Sequence, residues 1–139
     1  MTPVEWTPED LVFSRQLDAD HRKLFTELEI VRQASENGAG TSPLGLHLWR
    51  LSKDLSTHFA SEEQLMRESR YPGRSWHQRQ HQSGRKKMAR LLEARHATGG
   101  EECDRALEAF ARWLKDHVHL ADRMFAAHLR NEQRGRLVS

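Results

Sequence analysis

Residues 44–65 read LGLHLWRLSKDLSTHFASEEQL. Within them Leu44, Leu48, Leu51, Leu55, His58, Glu62 and Leu65 follow one another at steps of four, three, four, three, four and three. That alternation is the signature of a helix with one buried seam, because residues three and four apart share a helical face. A half-buried strand would instead alternate every second residue. Two seam positions, His58 and Glu62, are ionisable, and their place inside the stripe raises the question of what satisfies them.

The flanking segments repeat the pattern. The seams read Leu17, His21, Leu24, Leu28, Val31, then His77, His81, Gly84, Met88, Leu91, then Leu107, Phe110, Leu114, His117, Ala121, Met124. Breakers separate them: NGAGTSP at 37–43, Tyr71-Pro72-Gly73, and ATGG at 97–100. Helices are therefore expected at about 18–36, 43–69, 74–95 and 101–129. Asp18 is a candidate cap for the first, Ser42 before Pro43 for the second. Glu101-Glu102 after Gly99-Gly100 suits the start of the last, with acids at the positive end of the dipole. No segment reads as a strand. Four helices with short connections predict an all-α, antiparallel up-down four-helix bundle. The chain reads as a single domain over 1–139: an irregular arm at 1–17, whose Trp6, Leu11, Val12 and Phe13 are available for packing, the bundle at 18–129, and a frayed tail at 130–139.

Composition agrees. The chain has 139 residues, 30% of them charged and only 7% aromatic, and its mean hydropathy is −0.83. Apolar residues must be concentrated on narrow stripes. No run is long enough to span a bilayer, and the start MTPVEWTPEDL has no basic region followed by an apolar stretch, so no signal peptide is expected. Cys103 is the single cysteine, which excludes an intrachain disulfide and fits a reducing, cytoplasmic compartment. Residues 67–95 hold nine Lys/Arg against Glu68 and Glu93. Only Tyr71 and Trp76 lie among them, too few for a nucleic-acid stacking platform, so a solvated face is expected, with neither nucleic acid nor membrane as partner.

Each helix thus aims at least one histidine into the same interior. A buried carboxylate such as Glu62 costs several kcal/mol, roughly, unless paired or metal-bound, and no Lys or Arg falls on the seams. A metal satisfies all these groups together. Imidazole and carboxylate without thiolate suit Fe, Mn or Zn. His58–Glu62 and His77–His81 are each four apart, on one helical face; His117–Asp122 is five apart, which turns Asp122 sideways, where a carboxylate could bridge two metals.

The motifs LDADHRKLF around His21, HFASEEQLM around His58 and Glu62, YPGRSWHQRQH around His77 and His81, and WLKDHVHLAD around His117 and Asp122 resemble those of the bacterial hemerythrins, non-heme di-iron proteins, over about Trp6 to Leu129. The resemblance implies a cofactor of two Fe ions with an oxo or hydroxo bridge. One ion would take His77, His81 and His117, the other His21 and His58, with Glu62 and Asp122 bridging. The two-histidine iron would keep one position open for O2 or another small diatomic. Leu114, Trp113, Phe25 and Phe59 would line the O2 pocket, although core packing alone also accounts for such residues. The implied function is reversible O2 binding as carrier, store or sensor. The alternative is a di-iron redox enzyme acting on peroxide, nitric oxide or ferrous iron; the motifs contain no dedicated general acid or base, so no catalytic residues are assigned. A monomer is expected. Gly84 departs from the family, as do Arg85-Lys86-Lys87 beside it. On the seam next to the ligands, Gly84 is expected to open a cavity or solvent path, unless Trp76 covers the site. His47, His96, His119 and His128 are read as non-ligands.

Overall fold

In the computed structural model of the chain, residues 3–38, 40–95 and 100–138 are described, apart from the side chains at 41, 42, 137 and 138. The helices are α1 (Arg15–Glu36), α2 (Thr41–Glu68), α3 (Arg74–Ala94), α4 (Gly100–His117) and α5 (Arg123–Val138); a π-helical turn, Val118–Asp122, joins the last two into one rod. Each of α1 to α4 packs on the next, and α4 closes back on α1. This is an all-α four-helix bundle. Among the described residues there is no strand, and no helix is long and apolar enough to cross a membrane.

The seams form the core. Leu17, Leu24, Leu28 and Val31 of α1 are buried against Leu44, Leu48, Leu51 and Leu55 of α2, Met88 and Leu91 of α3, and Leu107, Phe110 and Leu114 of α4. Local signals set the ends. Ser14, not Asp18, caps α1, its hydroxyl accepting from the Leu17 N–H; Asp18 instead accepts from the Val12 N–H at 2.9 Å and pins the arm. Gly40 caps α2, two residues before Ser42, so the first helical bond runs from Leu44 N–H to Gly40 O and the missing N–H of Pro43 is still not needed. Ala39, His96 and the 97–99 part of the third breaker lie outside the described residues.

Four expectations are corrected. Leu65 is only partly buried, and Met66 takes its place in the core. Met124 is 49% exposed while Phe125 is fully buried; the π turn adds one residue to the rod and shifts every later position by one. The chain from Asn131 is helical to Val138 rather than frayed. The seams themselves carry no Lys or Arg, as expected, although Arg32 is buried beside one, matched by Glu29 and Glu36 on its own helix. Finally, Phe13 does not pack inward. It is 68% exposed with a left-handed backbone, and the arm is docked by Val4, Val12 and a buried Asp10 that accepts from Lys115 Nζ at 2.6 Å.

Candidate metal centre

The bundle brings all seven candidate ligands into one buried cluster. α1 carries His21, α2 His58 and Glu62, α3 His77 and His81, α4 His117, and the π turn ends on Asp122. The four-residue spacings act as expected for a helix, stacking two side chains one turn apart. The five-residue spacing works for a different reason: residues 118–122 are π-helical, so an i, i+5 pair shares a face there. This local widening had no signature in composition or periodicity.

Two donor sets result, each with ligand atoms within 4.8 Å of one another. One comprises Glu62, His77, His81, His117 and Asp122; the other His21, His58, Glu62 and Asp122. The carboxylates belong to both. Glu62 turns Oε1 to His77 Nε2 (2.5 Å) and His81 Nε2 (3.1 Å), and Oε2 to His58 Nε2 (3.3 Å). Asp122 turns Oδ1 to His77 Nε2 (3.0 Å) and His117 Nε2 (3.2 Å), and Oδ2 to His21 Nε2 (2.9 Å). Each carboxylate therefore divides its two oxygens between the two histidine sets.

These donors fit cations better than they fit one another. Nε2 of His21, His58, His77 and His117, Oε2 of Glu62 and both oxygens of Asp122 are buried without a hydrogen-bond partner, although the nitrogen–oxygen distances are short. Only His81 Nε2 and Glu62 Oε1 are aligned as a hydrogen bond. Lone pairs that crowd together without pairing converge on shared points, as ligands of an interposed ion do. Leaving such groups buried and unsatisfied costs roughly 1–3 kcal/mol each, more if charged. The set is nitrogen and oxygen only; Cys103 is buried elsewhere, its thiol pKa raised by burial and by Asp104.

The electrostatics of the metal-free protein point the same way. Burial, together with Asp122, opposes ionisation of Glu62, yet His58, His77 and His81 hold its carboxyl below the usual carboxylate range. Burial opposes Asp122 likewise, and His117, His21 and His77 hold it well below. Both carboxylates stay anionic and demand positive charge. Burial disfavours protonation of His58, but Asp20 and Glu62 outweigh it and raise its pKa to about 10. Asp122 and Glu62 similarly raise His77 to about 9 against burial. His81, for which burial dominates, is lowered. In the absence of metal, protons supply the charge that metal ions would supply there.

Aromatic rings wall the three-histidine set. Phe59 stacks on His81 (centroids 4.0 Å) and also contacts His58 and His117 at 6.2 Å. Trp113 stacks on His117 at 4.7 Å. The expectation of an opening at Gly84 is overturned: a Cβ built there would collide with Trp113 Cη2, so the indole fills the space the glycine leaves. Leu114 is buried one turn before His117. Phe25 lies toward the arm, with Lys115 Nζ 4.7 Å from its ring centre.

Two acids outside the seams went unread in the sequence. Asp20 lies 3.1 Å from His58 Nδ1, and Glu63 lies 3.4 Å from His81 Nδ1. Both sit one position from a candidate ligand, and that adjacency is the only signal the sequence offers. Of the histidines read as non-ligands, His119 points to Asp10 (2.6 Å) and His128 to Ser69 O (2.8 Å), while His47 is half-buried outside both donor sets.

Comparison with known proteins supports the geometry. The model of the hemerythrin HHE cation binding domain matches residues 12–129. The chain is 28% identical over 110 residues to a bacteriohemerythrin of Stenotrophomonas maltophilia (strain R551-3), an alignment covering 79% of this chain and 71% of the relative. With two buried donor sets and a family match over most of its length, the chain belongs to the hemerythrin HHE cation-binding family.

Proposed function

We propose that this protein holds two iron ions and binds O2 reversibly, as a cytoplasmic carrier, store or sensor. The observation that carries the reading is the division of Glu62 and Asp122 between two unequal histidine sets. His77, His81 and His117 would hold one ion, His21 and His58 the other, with both carboxylates and an oxo or hydroxo group as bridges. When bound, the ferrous pair supplies two electrons and a vacant coordination position to a small diatomic. The residues do the rest. The bridging carboxylates fix the separation of the two sets. Rigid helices hold the imidazoles, so little reorganises on ligand binding. The unequal donor count, five side chains against four, supports a vacancy on the two-histidine side. Phe59, beside His58, would keep water from that ligand, and by family resemblance Leu114, Trp113 and Phe25 would complete the apolar surroundings. The whole chain would act as one domain.

The test is metal analysis with absorption spectra taken anaerobically and then in air. Two irons per chain and a charge-transfer band that reverses on removing O2 support the reading; one metal per chain, or steady turnover of peroxide or nitric oxide with no reversible band, overturns it.

A further inference from the structure

Of the five histidines in the two donor sets, four have an outer ring nitrogen, Nδ1, that is buried without a hydrogen-bond partner: His21, His77, His81 and His117. His58 differs. Its Nδ1 lies 3.1 Å from Asp20 Oδ2, a hydrogen bond across the α1–α2 interface. Its Nε2 faces Glu62 inside the cluster. If Nε2 offers its lone pair inward, the ring proton must sit on Nδ1, and only an acceptor can stand opposite; a carboxylate is the strongest such acceptor. The geometry points to Asp20 as a positioning residue that fixes the tautomer of His58 and strengthens it as a ligand, so that the two-histidine ion alone carries an anionic outer partner. This rests on the two-metal reading above.

The other outer-lying acid does not duplicate the role. Glu63 is 3.4 Å from His81 Nδ1 without hydrogen-bond alignment, and Arg85 donates to it at 2.9 Å. Lys23, which borders the same surface cavity as Asp20, is turned to Asp54 at 3.5 Å, and Arg22 lies over the Trp6 ring. The negative charge of Asp20 therefore acts mainly through His58. A carboxylate behind a ligating imidazole raises its basicity, tightens the metal and favours the more oxidised ion. The effect falls on the ion with fewer protein donors, where affinity is otherwise weaker.

Asp20 borders an open surface cavity with Thr57, Ser61 and His58, so replacements there need not disturb the core. The experiment takes the full chain as wild type, Asp20→Asn and Asp20→Leu, titrates each anaerobically with ferrous iron against a chelator, and records the thermal unfolding of each metal-free form. The expected result is a weakening of one of the two ions by about 10–100-fold in Asp20→Leu, less in Asp20→Asn, with the other ion unchanged and each metal-free form still unfolding in one cooperative transition. The reduction potential of the weakened site should rise in the same order. Two ions bound with unchanged affinities in both variants overturns the proposal alone, as does an equal loss at both sites. A wild type that binds fewer than two ions overturns the two-metal reading and the proposal with it.

Discussion

His117 and Asp122 are five residues apart, yet Asp122 Oδ1 lies 3.2 Å from His117 Nε2, because the residues after His117 wind as a π turn. The same turn sets the register of the rest of the rod. In an unbroken α-helix the seam through Leu114 and His117 would continue to Ala121 and Met124; with the extra residue taken up, Phe125 and Ala126 face the core and Met124 faces out.

That register is measurable without metal. Phe125→Ala should lower stability by about 3–5 kcal/mol, the usual loss for a buried aromatic, whereas Met124→Ala should change it by no more than about 0.5 kcal/mol. Urea unfolding of the two variants decides the matter. The reverse ranking would mean that the α-helical register persists past His117.

Gly84 and Trp113 form a matched pair, since the indole occupies the place of the missing side chain. Gly84→Ala should destabilise the protein by about 1–3 kcal/mol through overpacking. Trp113→Leu in the same chain should remove much of that penalty, giving a coupling of about 0.5–3 kcal/mol in a double-mutant cycle. Independent, additive effects would show that the contact is not what makes glycine necessary.

Arm docking should depend on acid. Hydrogen bonds from Arg32, with the Val4 N–H, hold the Glu29 pKa at about 2 against burial, below its ordinary 4.5. A folded-state value below the unfolded one stabilises the protein fully above about 4.5, and the contribution fades as pH falls toward about 2. Glu29→Gln should therefore be less stable than wild type at neutral pH, with the gap closing over that window. Urea midpoints across the acid range test this; a gap that stays constant with pH would assign the loss to packing.

Leu114 and His117, one turn apart on the α4 seam, should separate metal holding from ligand binding. His117→Ala removes a donor of the three-histidine set and should leave fewer than two irons per chain by metal analysis. Leu114→Tyr touches no donor; it should keep both irons while changing the lifetime of the oxygenated spectrum. Two irons retained in His117→Ala would remove that histidine from the ligand set.

Much of the architecture was legible because helical periodicity is a local property. Leu44 to Leu55, His77 to Leu91 and Leu107 to Leu114 lie on the faces their spacing implies, and the four-residue ligand pairs needed nothing beyond helix geometry. The errors lie where local pattern loses authority. Ser14 displaced Asp18 as a cap because Asp18 found a better use binding the arm. Met66 displaced Leu65 at the end of α2, and Phe13 stayed in water.

What the amino-acid order determined by itself was the helical class, the candidate donor types and their membership of one interior, since each stems from residue chemistry repeated at a fixed step. Tertiary structure decided how those candidate donors divide. The oxygens of Glu62 and Asp122 split between two histidine sets, Asp20 of one helix reaches His58 of the next, and Trp113 fills the gap at Gly84. Each is a contact between separate elements, fixed by how helices cross and where one of them widens, and so beyond what any single helix encodes.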